Sequence, residues 1–265
     1  MRQHAAMAAV RIRASAVLLD LDGVLYVGDE PVRGAQAAVE ALRKHGLALR
    51  FVTNTTTRSH GDTVDKLHRL GFAVGADEVM TPAALAVRHC QEQGHRRVGL
   101  IMGDAVKRDF MGLEEVREGA DAVIVGDLGE GFAYAPLNRA FRMVMEGAEL
   151  IALQKNRFWM TPDGLALDAG PFVAALEYAT GQEAFVVGKP ASGFFASVLA
   201  DAGVEAGQAV MIGDDVETDV GGALAAGLAG VLVRTGKFRE DRLRASGVRP
   251  TAIVNAIGDV PALLR

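Results

Sequence analysis

The sequence predicts an α/β fold: a doubly wound parallel sheet with a second α/β unit inserted into it. Three observations predict this. Short apolar runs that read as buried strands alternate with helix-patterned segments along nearly the whole chain. The first run, Ala16 to Tyr26 (AVLLDLDGVLY), delivers two carboxylates, Asp20 and Asp22, at the strand end where α/β sheets place ligands. The chain has 265 residues, half of them apolar, enough for a core domain carrying a second one.

The elements follow in order. Val24 to Val27 suggest a small extended flap. Pro31 to Lys44 carries Val32, Ala35, Val39 and Leu42 at helical spacing, with Gly46 as a stop. Leu47 to Thr53 reads as a second buried strand, running into Thr53, Asn54, Thr55, Thr56 and Thr57. Ser59 and Asp62 have the spacing of a capping box for a helix through Leu70, ended by Gly71. Thr81 then caps and Pro82 takes the first helical position. Helix Pro82–Gln93 leads to strand Arg97–Met102. Strand Ala122–Val125 leads to helix Pro136–Met145, where Leu137, Phe141 and Val144 share a face. Leu150–Leu153 is a strand. Phe158–Met160 and Leu165–Leu167 flank the turn signal Thr161-Pro162-Asp163-Gly164 and read as a hairpin. Pro171–Ala179 is a helix with Phe172, Ala175, Leu176 and Ala179 inward. Strand Ala184–Val187, helix Gly193–Ala202 and strand Ala209–Ile212 follow. Helix Gly222–Ala226 and strands Gly230–Val233 and Ala252–Val254 complete the pattern.

Composition narrows the function. A net charge of -5 argues against a nucleic-acid or anionic-membrane partner held by bulk charge. The single cysteine, Cys90, excludes an intrachain disulfide and a multi-cysteine zinc site, and its apolar helical setting reads as a buried structural thiol. No stretch reaches the roughly 18 apolar residues of a membrane span. The first residues lack an apolar segment with a cleavage site and read as a frayed tail with Met7 as an alternative start. A soluble cytoplasmic protein is expected. Gly126 to Gly131 does not fit a dinucleotide fingerprint, and the six histidines show no ligand spacing.

Four pieces carry chemistry. Asp20 and Asp22 form an acidic pair at a strand end. The Thr53–Thr57 run offers small hydrogen-bonding groups. Lys189 precedes Pro190 after a strand. Gly213-Asp214-Asp215-Val216-Glu217-Thr218-Asp219 packs four acids into six positions, a self-repelling cluster unless a cation sits in it or the acids diverge. Each follows a predicted strand, so all four are expected at one sheet edge. There one carboxylate can attack, its neighbour can move a proton, a hydroxyl and a lysine can hold phosphoryl oxygens, and the last acids can hold a hard divalent cation.

DLDGVLY, FVTNT, GKP and GDDVETD resemble the four motifs of the haloacid dehalogenase-like superfamily, in that order. The resemblance implies a Rossmann-like catalytic core, residues 1–81 and 184–265, with a C2-type cap, residues 82–183, as in the NagD-like nucleotide phosphatases and the phosphoglycolate phosphatases. Within that group, FVTNTTTRS, GLALDAGPFVAALEYATG, VVGKP and RTGKFR are most similar to the phospholysine phosphohistidine inorganic pyrophosphate phosphatases. It implies Asp20 as nucleophile forming an aspartyl-phosphate, and Asp22 as the group that protonates the leaving group and then takes a proton from water. Thr53 and the backbone of Asn54 would bind phosphoryl oxygens, and Lys189 would neutralise the phosphate. Mg²⁺ would be held by Asp20, the Asp22 carbonyl and Asp214, with Asp219 and, less directly, Asp215 supporting its water. The second Asp, which the dehalogenases of the superfamily lack, points to phosphatase chemistry.

Leaving-group selection is expected from the cap, with Lys155, Asn156, Arg157 and Trp159 as candidates. The Asn-x-Asp pattern of the nucleotide and phosphoglycolate enzymes is replaced here by Asn156-Arg157-Phe158. The expected substrate is a small phosphorylated compound: inorganic pyrophosphate, a phosphohistidine or phospholysine, or another metabolite such as a nucleotide, sugar phosphate or phosphoglycolate. A phospho-ligand-binding protein without turnover and a phosphorylatable receiver module are the rival classes. A homodimer through the cap is expected from related cap-bearing enzymes.

Overall fold

The structure, a computed structural model, describes residues 11–161 and 164–264. Met7 and the centre of the predicted turn, Pro162 and Asp163, lie outside the described residues. The first elements are β1 (Ala16–Asp20), β2 (Tyr26–Val27), β3 (Glu30–Pro31), α1 (Ala35–Lys44), β4 (Ala48–Val52), α2 (His60–Arg69) and β5 (Val79–Met80). Then come α3 (Pro82–Gln93), β6 (Arg97–Ile101), α4 (Asp104–Lys107), β7 (Glu114–Glu115), β8 (Ala122–Val125), α5 (Tyr134–Met145) and β9 (Glu149–Ala152). The hairpin β10 (Phe158–Thr161) and β11 (Gly164–Leu167) leads to α6 (Ala169–Thr180), β12 (Phe185–Val186) and α7 (Ser192–Ala202). The chain closes with β13 (Ala209–Gly213), α8 (Gly222–Ala225), β14 (Ala229–Val233), α9 (Glu240–Ser246) and β15 (Ala252–Val254). These elements form two compact units: residues 11–52, Leu67–Glu78 and 195–264 in the first, Thr53–Lys66 and Val79–Phe194 in the second.

In the first unit, parallel strands run in the order β15-β14-β13-β1-β4. All five β1 residues are buried. This is why β1 reads as an unbroken apolar run rather than an alternating one: a central parallel strand is covered on both faces. Helix α1 buries Ala35, Ala38, Val39 and Leu42. It begins at Ala35, four residues later than the spacing predicts. Pro31 instead pairs with Tyr26 in the β2–β3 hairpin, and Gly34 at φ 82° turns the chain into the helix. The flap expected at Val24–Val27 is one arm of that hairpin.

In the second unit the parallel order is β12-β9-β8-β6-β7. Val123, Val125, Leu150 and Ala152 pack with Ala140, Met143 and Val144 of α5 and with Val173 and Leu176 of α6. Phe132 stacks on Phe172 with ring centroids 3.8 Å apart. The α6 face differs from expectation: Ala169, Gly170, Val173 and Leu176 are buried, whereas Ala175 and Ala179 are exposed. The segment AGPFVAALEYAT is apolar almost all round, so its period does not define a face. Ser59 and Asp62 exchange the two bonds of the expected capping box, and Thr81 accepts from the Ala84 amide. Cys90 is fully buried, and burial, then the charges of Glu149 and Asp121, push its thiol up to about 11, which keeps it protonated and inert. No helix among the described residues is long and apolar enough to cross a membrane.

Thr81→Ala removes the acceptor for an orphan amide at the start of α3. It is expected to lower unfolding free energy by about 1 kcal/mol in urea titrations, with an unchanged m-value.

Candidate active site

Strands β1 and β13 are parallel neighbours, with Leu19 in register with Ile212. Their C-terminal ends therefore carry Asp20 and Asp214 to one edge. Asp219 comes from the π-helical turn Val216–Gly221 that follows. One carboxylate oxygen from each of Asp20, Asp214 and Asp219 lies within 4.8 Å of the others, and all three residues are buried. Burial, followed by the charges of Asp20 and Asp219, raises the Asp214 carboxyl to about 8, against the opposing pull of the Lys237 amide and ammonium. An all-oxygen, anionic, closely spaced donor set suits a hard divalent cation such as Mg²⁺. Asp20, Asp214 and Asp219 would hold it, and it would supply the positive charge their repulsion lacks.

Two glycines make room for Asp214. Gly23 has φ 86° and Gly236 φ 62°, and a Cβ on either would overlap the Asp214 carboxylate. The Gly236 loop is pinned at three points. The Thr235 hydroxyl donates to the Gly23 carbonyl, the Lys237 amide donates to Asp214 Oδ2 at 2.7 Å, and Phe238 packs against the Val216–Val220–Leu232 cluster. This loop brings Lys237 to the acids. Burial lowers the Lys237 ammonium, but the charges of Asp214, Asp20, Asp219 and Asp215 outweigh it and hold its pKa above the ordinary value. Sequence reasoning missed Lys237: it stands four residues past β14, outside the four recognised stretches.

Asp215 faces its own backbone. Its Oδ1 accepts from the Glu217 and Thr218 amides, both at 3.0 Å, capping the turn that carries Asp219. Asp22 is exposed and bridges to Tyr26 through the backbone.

In the second unit, the Asn54 side chain brackets the main chain of Lys189. Nδ2 donates to the Lys189 carbonyl at 2.8 Å, and Oδ1 accepts from the Lys189 amide at 2.9 Å. Lys189 is buried, and the Lys189–Pro190 peptide is cis. Gly188 has no room for a Cβ, which would strike the Leu153 carbonyl and Asn54 Oδ1. Thr53 is buried, with its hydroxyl accepting from the Thr55 amide at 3.0 Å. The bracket shows a part for the Asn54 side chain that the sequence argument gave only to its backbone.

The cap candidates separate. Lys155 pairs with Glu177 of α6, Nζ to Oε2 at 2.6 Å. Arg157 lies 5.8 Å from the Phe158 ring centroid, and Trp159 is exposed opposite Ala166. Asn156 is held from below: its amide donates to Gln154 Oε1 at 2.5 Å, and its carbonyl accepts from Gly170 at 3.0 Å. Gln154 in turn donates to Asp168, the cap of α6. Burial, with some help from Asp127, raises the Asp168 carboxyl against its bonds from Ala169, Gln154 and Asn156. Gln154 and Asp168 thus set the path of the Lys155–Trp159 strand, a role the sequence did not signal because both read as ordinary polar positions flanking a hairpin.

Without metal, Asp214→Asn is expected to raise Tm, and by more at pH 8 than at pH 5. The folded-state value near 8 lies above the ordinary 3.8, so wild-type stability declines as pH rises through that interval, and Asn has no such slope. A thermal-melt series in chelator checks this; an equal shift at both pH values would show that Asp214 is not the strained group. Asn54→Ala is expected to cost about 1–3 kcal/mol in urea titrations by leaving the Lys189 amide and carbonyl unpaired.

Two family models match, "Haloacid dehalogenase-like hydrolase" over residues 17–114 and "HAD-hydrolase-like" over residues 186–260. The chain is 45% identical over 238 residues to the Bos taurus haloacid dehalogenase-like hydrolase domain-containing protein 2, covering 89% of this chain and 91% of that one. It is 41% identical over 254 residues to the Bos taurus phospholysine phosphohistidine inorganic pyrophosphate phosphatase, covering 94% and 93%. Its fold is similar to that of a glycerol phosphate phosphatase from Mycobacterium tuberculosis solved with magnesium. That match has a TM-score of 0.80 and 31% identity, and it covers 92% of this chain and 75% of the other. With acids from neighbouring parallel strands meeting at one edge, the chain belongs to the haloacid dehalogenase-like hydrolase family and is a phosphatase of that family.

Proposed function

We propose that the chain hydrolyses a small phosphorylated substrate with Mg²⁺, through an aspartyl-phosphate at Asp20. The observation that carries the reading is the Asp20–Asp214–Asp219 cluster at the ends of β1 and β13. The family match and the magnesium-bound relative support it. An Asp20 oxygen attacks phosphorus while the bond to the leaving group breaks, and Asp22 donates the proton the leaving group needs. Asp22 then takes a proton from water as that water attacks the phosphorus, releasing phosphate and restoring Asp20. Thr53, the Asn54 backbone and Lys189 hold the phosphoryl oxygens, where positive charge and donors act most strongly as charge spreads in the transition state. Mg²⁺ offsets the repulsion between the carboxylate and the phosphate. Asp215 supports the site indirectly by fixing the turn that bears Asp219.

The substrate is inorganic pyrophosphate or a P–N compound such as phosphohistidine or phospholysine. The 41% identity to an enzyme named for those substrates supports this choice. Residues 1–81 and 184–265 are taken as the catalytic core and residues 82–183 as the cap that selects the leaving group. A cytoplasmic homodimer through the cap completes the reading. The exposed Phe158, Trp159, Leu165 and Leu167 of the β10–β11 hairpin support such a contact.

Phosphate release should appear from pyrophosphate, phosphohistidine or phospholysine only with Mg²⁺, and Asp20→Asn should reduce it by at least about a thousandfold. Activity surviving in Asp20→Asn, or full activity in chelator, would sink the mechanism. Light scattering should give a dimer mass that Leu165→Lys with Leu167→Glu shifts to a monomer; a wild-type monomer would sink the dimer.

A further inference from the structure

Among the charged groups around the acid cluster, Lys237 has no part in the mechanism above. Its backbone is fixed to the cluster by the amide bond to Asp214 Oδ2 and by the Thr235 and Phe238 anchors on either side. The residue is exposed along its length, so packing does not account for its position. Four carboxylates, Asp214, Asp20, Asp219 and Asp215, act on its ammonium. The three clustered acids carry three negative charges when ionised. Lys237 leaves a net two, which one divalent cation neutralises.

We propose that Lys237 is the resident counter-cation of this site. It partly neutralises the Asp20–Asp214–Asp219 cluster in the metal-free protein and competes electrostatically with the incoming divalent cation, so that the ion binds reversibly rather than being trapped. This inference rests on the metal-site reading and extends it. Lys237 is a positioning residue here, acting through the field it adds to the acids. A tethered ammonium neither enters the coordination sphere nor leaves the site, so its effect is a constant bias on cation affinity.

The test is calorimetric titration of the full chain with MgCl₂, with thermal melts in chelator. Lys237→Gln keeps the backbone amide that holds Asp214 and removes only the charge. It is expected to bind Mg²⁺ about tenfold more tightly at low ionic strength, with the gap to wild type closing near 1 M KCl as the field is screened. Its Tm in chelator should fall below wild type and recover with Mg²⁺. A Gln variant that folds only with Mg²⁺ is that loss taken to its limit. Lys237→Arg, which keeps the charge, should match wild type in both readouts. Unchanged or weaker Mg²⁺ affinity in Lys237→Gln overturns the proposal while leaving the metal site standing. Absence of Mg²⁺ binding by the wild type overturns both. A raised KM for phosphate substrates with unaltered Mg²⁺ affinity would make Lys237 a substrate contact and overturn the counter-cation role.

Discussion

Like charges repel, and the first unit is arranged around holding three of them together. Asp20, Asp214 and Asp219 share a space under 5 Å across, out of water, where Coulomb repulsion is least screened. Backbone geometry enforces this closeness. Adjacent parallel strands fix two of the acids, a tight turn capped by Asp215 fixes the third, and two glycines remove the side chains that would push Asp214 away. The surrounding sheet and the apolar cluster under the Val216–Gly221 turn supply the stability that lets such a site persist. What the protein gains is a vacancy of charge that a divalent cation and a phosphoryl group fill together.

Much of this was legible in the chain. β1 and β13 announce themselves because a central parallel strand is apolar throughout, and the acids that end them break the run abruptly. The Ser59–Asp62 box and the Thr81–Pro82 start are local devices, decided by neighbours in sequence, and the structure has them as expected. The failures are of another kind. Helix α1 starts late because a hairpin competes for Pro31, and α6 turns a different face inward because its residues are too uniformly apolar to specify one. Both outcomes are set by contacts distant in sequence, which periodicity cannot report.

The functional residues divide in the same way. Asp20, Asp214 and Lys189 belong to motifs dense enough to stand out. Lys237, Gln154 and Asp168 act through loop paths that only the folded chain defines. Lys155 shows the converse: a cation next to a candidate specificity strand, it is committed to Glu177 instead. The strand's presentation rests on the Gln154–Asp168 pair beneath it. Substitutions under the hairpin therefore reshape what the exposed Arg157 and Trp159 present without touching them.

The Asn54 bracket on Lys189 joins positions 135 residues apart. Contacts of that span are slow to form, since loop-closure entropy is lost before any reward arrives. A chain still emerging from the ribosome can build β1, the threonine run and most of the insertion, yet it has no seated lysine until residues 188–190 arrive. The grip on phosphate is thus among the last features to mature. An incomplete chain would carry the attacking aspartate without the partner that makes it dangerous to cellular phosphates, a form of safety conferred by the order of synthesis.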